Sequence, residues 1–238
     1  MTTPLHLSRV RLKSLRGEAL ASVAPLLMPA DPKQRPAHAH RVLWLLFQDV
    51  PDAARDFLWR DEGRARFMML SQRPPTDPHG LFEIETRPFE PVLAPGDRLA
   101  FVLRANPVVR LDQPETRTTG KGRMTPKRKK VDVVMHALHK VPSGERAARR
   151  DSLVNEQTSA WLAGQGEKYG FRPAGPIVAD AYTQVGIERR RGRAAGISTI
   201  DIAGAIEVTD PPAFVGQLAR GFGSAKAFGC GLMLIRRA

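Results

Sequence analysis

A glycine-rich segment near the C-terminus constrains the fold more than any other stretch of this chain. Four glycines fall within eleven residues, and the apolar run Leu232–Ile235 follows them directly. Asp210 and the two prolines after it are typical of a helix start, and Gly221 suits a helix end. The order is therefore helix, glycine-rich loop, strand. Dinucleotide sites and P-loops need the order strand, loop, helix, so this segment is neither.

A single lysine within the segment suggests what the loop contacts. Lys226 occupies the third glycine position of a G-x-G-x-x-G pattern, which is therefore incomplete. The bare backbone at Gly221 and Gly223 allows a ligand to approach closely, and Lys226 adds a positive charge that suits an anion. The residues alone leave open the alternative of a tight connection that happens to contain a lysine.

The net charge of the chain also points to an anionic partner. Among 238 residues, Lys and Arg number 37 against 24 acidic residues, a formal net charge of +13. Such an excess favours nucleic acid, a membrane surface or an acidic protein as the partner. Hydrophobic residues make up 42% of the chain, which is enough for a packed core.

The sequence carries no sign of a spanning or secreted protein. No apolar run approaches the roughly 18 residues of a membrane-spanning helix, and the first residues lack a signal-peptide core. Cys230 is the only cysteine, so neither an internal disulfide nor a multi-cysteine zinc site is expected. These facts fit a protein of the reducing cytoplasm. Separately, we expect no metal or other cofactor.

Hydrophobic periodicity predicts a strand, a helix and several further strands in the first part of the chain. Alternation predicts a strand over Leu5–Leu12, and a slip in it indicates a bulge or burial of both faces. Apolar residues four apart predict a buried helix from Pro36 to about Gln48, before Pro51. Further strands are predicted over 57–60, 66–71, 81–86 and 99–104.

Hydrophobic patterns in the second part of the chain again predict a mixture of helices and strands. Helices are predicted over 131–141 and 145–162, strands over 171–185 and 195–208, then the helix after Asp210 and a strand at Leu232. The fold class is therefore α+β, with two tandem ferredoxin-like (RRM-like) domains of antiparallel sheet. We place the N-terminal domain at 1–94 and the C-terminal domain at 95–238. No tandem sequence repeat accompanies this duplication.

A basic run separates the two helices from the strand before them. Residues 117–130 contain seven Lys and Arg and no acidic residue. Such a run is usually a solvated loop or tail, and phosphate binding is the alternative.

Several segments resemble, in the same order, those of the CasE family, endoribonucleases that process precursor CRISPR RNA in type I-E systems. The glycine-rich loop carries the most extended resemblance. The matching segments are Leu5–Val10, His40–Phe47 with its L-W-x-L-F pattern, Arg55–Leu58 as R-D-F-L, Phe101–Pro107 with L-R-A-N-P, and Gly221–Leu232.

The resemblance implies a fold and an activity. CasE proteins have two ferredoxin-like domains and cleave the repeat hairpin without metal. The ribose 2′-OH attacks the adjacent phosphate, leaving a 2′,3′-cyclic phosphate and a 5′-OH. His40 matches the catalytic histidine, and histidine donates or accepts a proton near neutral pH. Lys226 or a nearby arginine is expected to stabilise charge on the phosphate. The product crRNA stays bound, within a type I-E Cascade surveillance complex.

One position departs from the family pattern. A tyrosine often lies three residues before the matching histidine, and Ala37 occupies that place here. His38 or Ser22 are the alternatives for a second proton carrier. His136 and His139 share a helix face, but such a pair is more often a surface feature than a metal site.

Positively charged side chains are expected to provide most of the affinity for RNA. A basic hairpin tip, expected to enter the repeat stem, carries Arg189, Arg190, Arg191 and Arg193. Arg128, Lys129 and Lys130 are further candidates for phosphate contacts, together with the loop backbone at Gly221 and Gly223. A second hypothesis is an RNA-binding structural subunit that does not cleave, and a third is a basic protein that binds acidic surfaces.

Overall fold

The structure, a computed structural model, describes residues 4–13, 35–50, 54–118, 124–188 and 194–238, without the side chains of 113–118, 124–128, 185–188 and 194–195. The strands are β1 (His6–Leu12), β2 (Phe57–Gly63), β3 (Arg66–Ser71), β4 (Phe82–Pro88), β5 (Arg98–Ala105), β6 (Val108–Thr118), β7 (Met124–Asp132), β8 (Phe171–Pro173), β9 (Val178–Glu188), β10 (Ala194–Val208) and β11 (Met233–Arg237). The helices are α1 (Arg35–Trp44), α2 (Val133–Leu138), α3 (Arg146–Tyr169) and α4 (Pro211–Arg220).

The first sheet has the strand order β2-β3-β1-β4, and every pairing is antiparallel. Helix α1 covers one face, where Leu43 and Phe47 join the buried strand residues Phe57 and Phe67. This is the ferredoxin-like order, with an irregular connection over 72–81 between β3 and β4. Strand β1 pairs without a register shift, so the slip in its sequence reflects burial of both faces rather than a bulge.

The second sheet has the order β11-β5-β10-β8, and β9 also pairs antiparallel with β10. Its core includes Leu103 and Ile202 from the sheet, Leu162 from α3 and Phe214 from α4. Helix α3 runs beyond the predicted end, to a left-handed Gly170 at φ 76°. With β5, α3, β9, β10, α4 and β11 in sequence, this half is also ferredoxin-like, and the predicted fold class is confirmed.

The chain passes from one sheet to the other between β4 and β5. The boundary predicted at residues 94 and 95 falls in this connection and stays a prediction. Within the described ranges, no helix has the length and apolar character needed to span a membrane.

The described part of the basic run, residues 117–118 and 124–130, lies in paired strands rather than in the loop or tail that such a run often forms. Strands β6 and β7 pair antiparallel from Val108 opposite Asp132 to Thr118 opposite Met124, with one irregularity. Backbone pairing needs no apolar alternation, which is why hydrophobic periodicity missed the hairpin. The helix predicted over 131–141 is correspondingly shorter, because Asp132 caps α2 by accepting from the backbone N–H of Met135.

The two sheets meet through a small apolar cluster and an ion cluster. Leu58 and Leu70 of the first sheet pack with Leu232, which follows the glycine-rich loop. Beside them, Asp201 of β10 pairs with Arg60 of β2 at 3.2 Å and with Arg104 of β5 at 2.6 Å. These contacts hold the C-terminal loop against the sheet that carries α1.

Candidate active-site cleft

An open cleft of about 610 Å³ lies between α1 and the glycine-rich loop. Both halves of the chain contribute to it. Its lining consists of His40, Arg55, Lys130, Gly223, Ser224, Ala225, Lys226 and Ala227. Three of these described lining residues are cations and none is acidic, so the cleft suits an anionic ligand.

His40 lies on α1, one turn before Trp44. The indole Nε1–H of Trp44 donates to Nε2 of His40 at 3.2 Å. The ring also lies near Phe57, with 6.0 Å between centroids. Because Nε2 accepts this bond, the proton of the neutral ring is on Nδ1, a buried atom without a partner in the part of the chain that the structure describes.

The surroundings of His40 favour its neutral form. Burial of the ring, and secondly the positive charge of Arg55, lower the pKa of His40 from 6.5 to about 4. The ring is therefore uncharged at neutral pH. An anion placed against Arg55 offsets the second of these effects.

Lys226 begins a short 3-10 turn that reaches α1 from the second sheet. The turn follows Ala225, which has a left-handed backbone at φ 57°. The Lys226 Nζ donates to the carbonyl oxygen of Arg220 at 2.5 Å. Burial lowers the pKa of Lys226, and the positive charges of Arg55, Arg220 and Lys130 lower it further. Because these neighbouring cations repel one another, a bound phosphate would stabilise their charged forms.

Arg55 was not among the predicted site residues, although it lines the cleft. It precedes β2 and is half-buried, and burial lowers its pKa. The signal that marked it was the R-D-F-L segment, which carried only a family resemblance. Lys130, at the opposite edge, donates from Nζ to Oγ of Ser224 at 3.3 Å.

Two glycines proposed for RNA contact have different positions. Gly223 lines the cleft with φ 74°, and a Cβ there would lie 2.8 Å from the carbonyl oxygen of Asn106. Gly221 is not among the lining residues described. A Cβ on Gly221 would lie 2.7 Å from Leu58, so its small size serves the packing between the two sheets.

The remaining predicted RNA contacts lie outside this cleft or outside the described residues. Lys129 is exposed on β7, opposite Leu111. The backbone of Arg128 pairs opposite Asp112, and its side chain is not described. The predicted basic tip lies outside the described residues, namely Arg189, Arg190, Arg191 and Arg193. His38 lies on α1 and, like Ala37, is not among the described lining residues.

No metal site emerges from the described side chains, since they include no group of three His, Cys, Asp or Glu arranged to hold an ion. The expectation that no cofactor is needed stays a prediction.

Comparison with known proteins assigns the chain to a family. A family model described as "CRISPR associated protein" matches residues 5–237. The chain belongs to this CRISPR-associated family. A curated relative, the CRISPR system Cascade subunit CasE of Escherichia coli, is 29% identical over 200 residues, which cover 82% of this chain and 88% of the relative. The resemblance to CasE proteins is confirmed.

Relatives from a second organism agree with this assignment. The CRISPR-associated endoribonuclease Cse3 of Thermus thermophilus is 31% identical over 160 residues, covering 63% of this chain and 60% of the relative. A structure of Cse3 bound to a 19-nucleotide RNA superposes with a TM-score of 0.65 and 26% identity, covering 99% of this chain and 100% of that one. This member of the CRISPR-associated family thus has the Cse3 fold.

Proposed function

We propose that this protein is an endoribonuclease that cleaves the stem-loop repeat of precursor CRISPR RNA and retains the product. The observation that carries the proposal is the cleft itself, where His40 faces cations from both halves of the chain and no acidic lining residue is described. The relatives' names, Cascade subunit CasE and endoribonuclease Cse3, support the same activity.

The proposed reaction is a metal-independent transesterification. The 2′-oxygen bonds to phosphorus while the bond from phosphorus to the 5′-oxygen breaks. The 2′-hydroxyl loses a proton and the 5′-oxygen gains one, so the ends are a 2′,3′-cyclic phosphate and a 5′-OH. His40 is the proton-transferring group, and Lys226 supports the charge that builds on the phosphate.

RNA binding along the stem and the adjoining strand involves the cations proposed from the sequence, of which Lys130 also lines the cleft. They are Arg189, Arg190, Arg191 and Arg193 in the stem, with Arg128, Lys129 and Lys130 on phosphates of the stem or adjoining strand. The protein retains the crRNA as a subunit of a type I-E Cascade complex. Because its substrate is a transcript, we propose that cleavage takes place in the cytoplasm.

Two observations favour a second candidate function, a subunit that binds RNA without cleaving it. With a pKa of about 4, the His40 ring is uncharged at neutral pH and cannot act as a general acid. In addition, Ala37 lies where family members often carry a tyrosine. Tight binding of intact repeat hairpin by the wild-type protein is the outcome expected from this candidate.

The deciding experiment is incubation of the organism's own repeat hairpin with the protein in EDTA. Wild-type protein is expected to cleave it, His40→Asn to bind but not cleave, and a hairpin with a 2′-deoxy at the scissile nucleotide to stay intact. His139→Asn changes an exposed histidine outside the cleft and is the matched control. Cleavage that requires a divalent metal, or that survives His40→Asn, contradicts the proposal. Equal affinity for any polyanion indicates the third hypothesis, general binding of acidic surfaces.

A further inference from the structure

The three cations of the cleft are not equivalent in their contacts. Lys226 Nζ donates to the Arg220 carbonyl oxygen and Lys130 Nζ donates to Ser224 Oγ. The guanidinium of Arg55 has no hydrogen bond or ion pair with any residue that the structure describes. A half-buried guanidinium with unused donors is unfavourable unless a ligand pairs with it.

The chain on the C-terminal side of Arg55 is firmly held. Asp56 accepts from Nε and Nη2 of Arg73 at 2.6 and 3.3 Å, so its carboxylate is engaged away from Arg55. Phe57 stacks on Phe47 with 4.7 Å between centroids and contacts Trp44 edge-on at 5.2 Å. Arg55 therefore projects into the cleft from a fixed position rather than from a freely moving loop.

Arg55 lines the same cleft as the two groups already proposed to act on RNA. Its charge acts on His40 of α1 and on Lys226 of the glycine-rich loop, lowering the pKa of both. A phosphate that enters this cleft to reach His40 and Lys226 meets a third cationic group at Arg55. The planar fork of a guanidinium matches two oxygens of a phosphate, which a lysine cannot do.

We propose that Arg55 is a further catalytic residue, whose guanidinium binds the two non-bridging oxygens of the scissile phosphate. The inference rests on the proposed function. Under this proposal Arg55 provides the main stabilisation of charge in the transition state. Lys226 holds the loop through its bond to Arg220 and contributes a smaller share of that stabilisation. The bound phosphate also offsets the Arg55 charge at His40, so RNA binding raises the affinity of His40 for a proton as cleavage begins.

The experiment compares Arg55→Met and Arg55→Lys with wild type on the repeat hairpin under single-turnover conditions. Arg55→Met is expected to lower the cleavage rate by about 10²–10³-fold. Arg55→Lys keeps the charge but loses the fork, and an intermediate loss is expected. Arg9→Met, which removes an exposed, ion-paired cation of β1 outside the described lining of the cleft, is the matched control and is expected to leave the rate and the affinity unchanged. Affinity is measured with the 2′-deoxy hairpin, which cannot be cleaved.

Two further measurements separate catalysis from folding. Because Arg55→Met removes an unpaired, half-buried charge, its melting temperature is expected to equal or exceed that of wild type. Its pH–rate profile is expected to shift upward on the acidic limb, since the pKa of His40 rises when the neighbouring charge is lost.

The outcomes distinguish this inference from the function beneath it. If wild type cleaves and Arg55→Met cleaves at the same rate, the role of Arg55 is wrong and the proposed function stands. If Arg55→Met melts at a lower temperature and Arg55→Lys restores both melting and rate fully, Arg55 is structural and the inference is wrong. If wild type leaves the hairpin intact, both proposals fail together.

Discussion

Trp44 donates its indole N–H to Nε2 of His40 over 3.2 Å, one helical turn along α1. Because an indole N–H only donates, this bond is available to the neutral ring and is lost when Nε2 is protonated. Trp44 therefore fixes the orientation of the ring and favours its uncharged form. The same indole rests edge-on against Phe57, so its position is set by the core of the first sheet.

Replacing Trp44 by Phe tests this relationship. Trp44→Phe keeps an aromatic ring against Phe57 but removes the donor, so the pKa of His40 is expected to rise above about 4, while burial and Arg55 still hold it below 6.5. NMR titration of the histidine ring measures the shift. Trp161→Phe, a change in the core of the second sheet, is the control and should leave His40 unaffected. An unchanged His40 titration in Trp44→Phe contradicts the assignment.

Protein stability is expected to depend on pH through His40. The folded pKa is about 4 and the unfolded value about 6.5, so the unfolded chain binds more protons between these values. The free energy of unfolding should therefore fall as pH drops from 6.5 to 4, by about 1–2 kcal/mol after allowance for solvent screening of the half-buried ring. The groups that face His40 in the cleft, Arg55 and Lys226, stay charged throughout this range.

His40→Asn is the variant that isolates this contribution. Urea unfolding of wild type and His40→Asn at several pH values gives, for each protein, the slope of the free energy of unfolding against pH. His139→Asn serves as the exposed control and should follow wild type. Parallel curves for wild type and His40→Asn contradict the low pKa of the ring.

Much of the fold was predictable because local patterns decided it. Leu43 and Ile202 are buried on the core-facing sides of α1 and β10, and the apolar spacing around each matches the period of its element, so both predictions are confirmed. The β6–β7 hairpin was not predictable, since its pairing uses backbone groups beneath lysine-rich side chains. Arg55 was missed for a different reason. The cleft that Arg55 lines forms only where the loop at Lys226 approaches from the other sheet, and local sequence does not encode that approach.

The ion cluster around Asp201 is expected to set the relation between the two sheets. Asp201 is 27% exposed and pairs with Arg60 and Arg104, of which Arg60 is 17% exposed. Asp201→Asn leaves two guanidiniums together with no carboxylate between them, so a loss of about 2–3 kcal/mol in unfolding free energy is expected. Cleavage should fall as well, because the halves that carry His40 and Lys226 lose a fixed orientation.

Glu207→Gln is the matched control for Asp201→Asn, because it lies on the same strand and pairs with an exposed Arg172. A loss below about 1 kcal/mol is expected there. Equal losses in the two variants, measured by urea unfolding, show that the Asp201 cluster has no special role.

Gly223 is expected to tolerate no side chain. Its φ is +74°, and a Cβ would meet the Asn106 carbonyl oxygen at 2.8 Å. Gly80 has a similar φ of +67° but open space around it, so Gly80→Ala measures the backbone strain alone. We expect about 1 kcal/mol for Gly80→Ala and about 2–3 kcal/mol for Gly223→Ala, with reduced cleavage only in the second. Equal thermal shifts in the two variants contradict the close approach.

Binding of the repeat hairpin should weaken steeply with salt, because charge rather than stacking provides the grip. Aromatic residues make up only 6% of the chain, while Lys and Arg exceed acidic residues by 13. If about six phosphates are neutralised, the logarithm of the affinity is expected to fall with a slope of roughly −4 to −5 against the logarithm of salt. Lys130→Met should reduce that slope by about one, since it removes one phosphate contact. Filter binding of the 2′-deoxy hairpin at increasing KCl measures both slopes, and a flat response in the wild-type protein contradicts a charge-based mode of recognition.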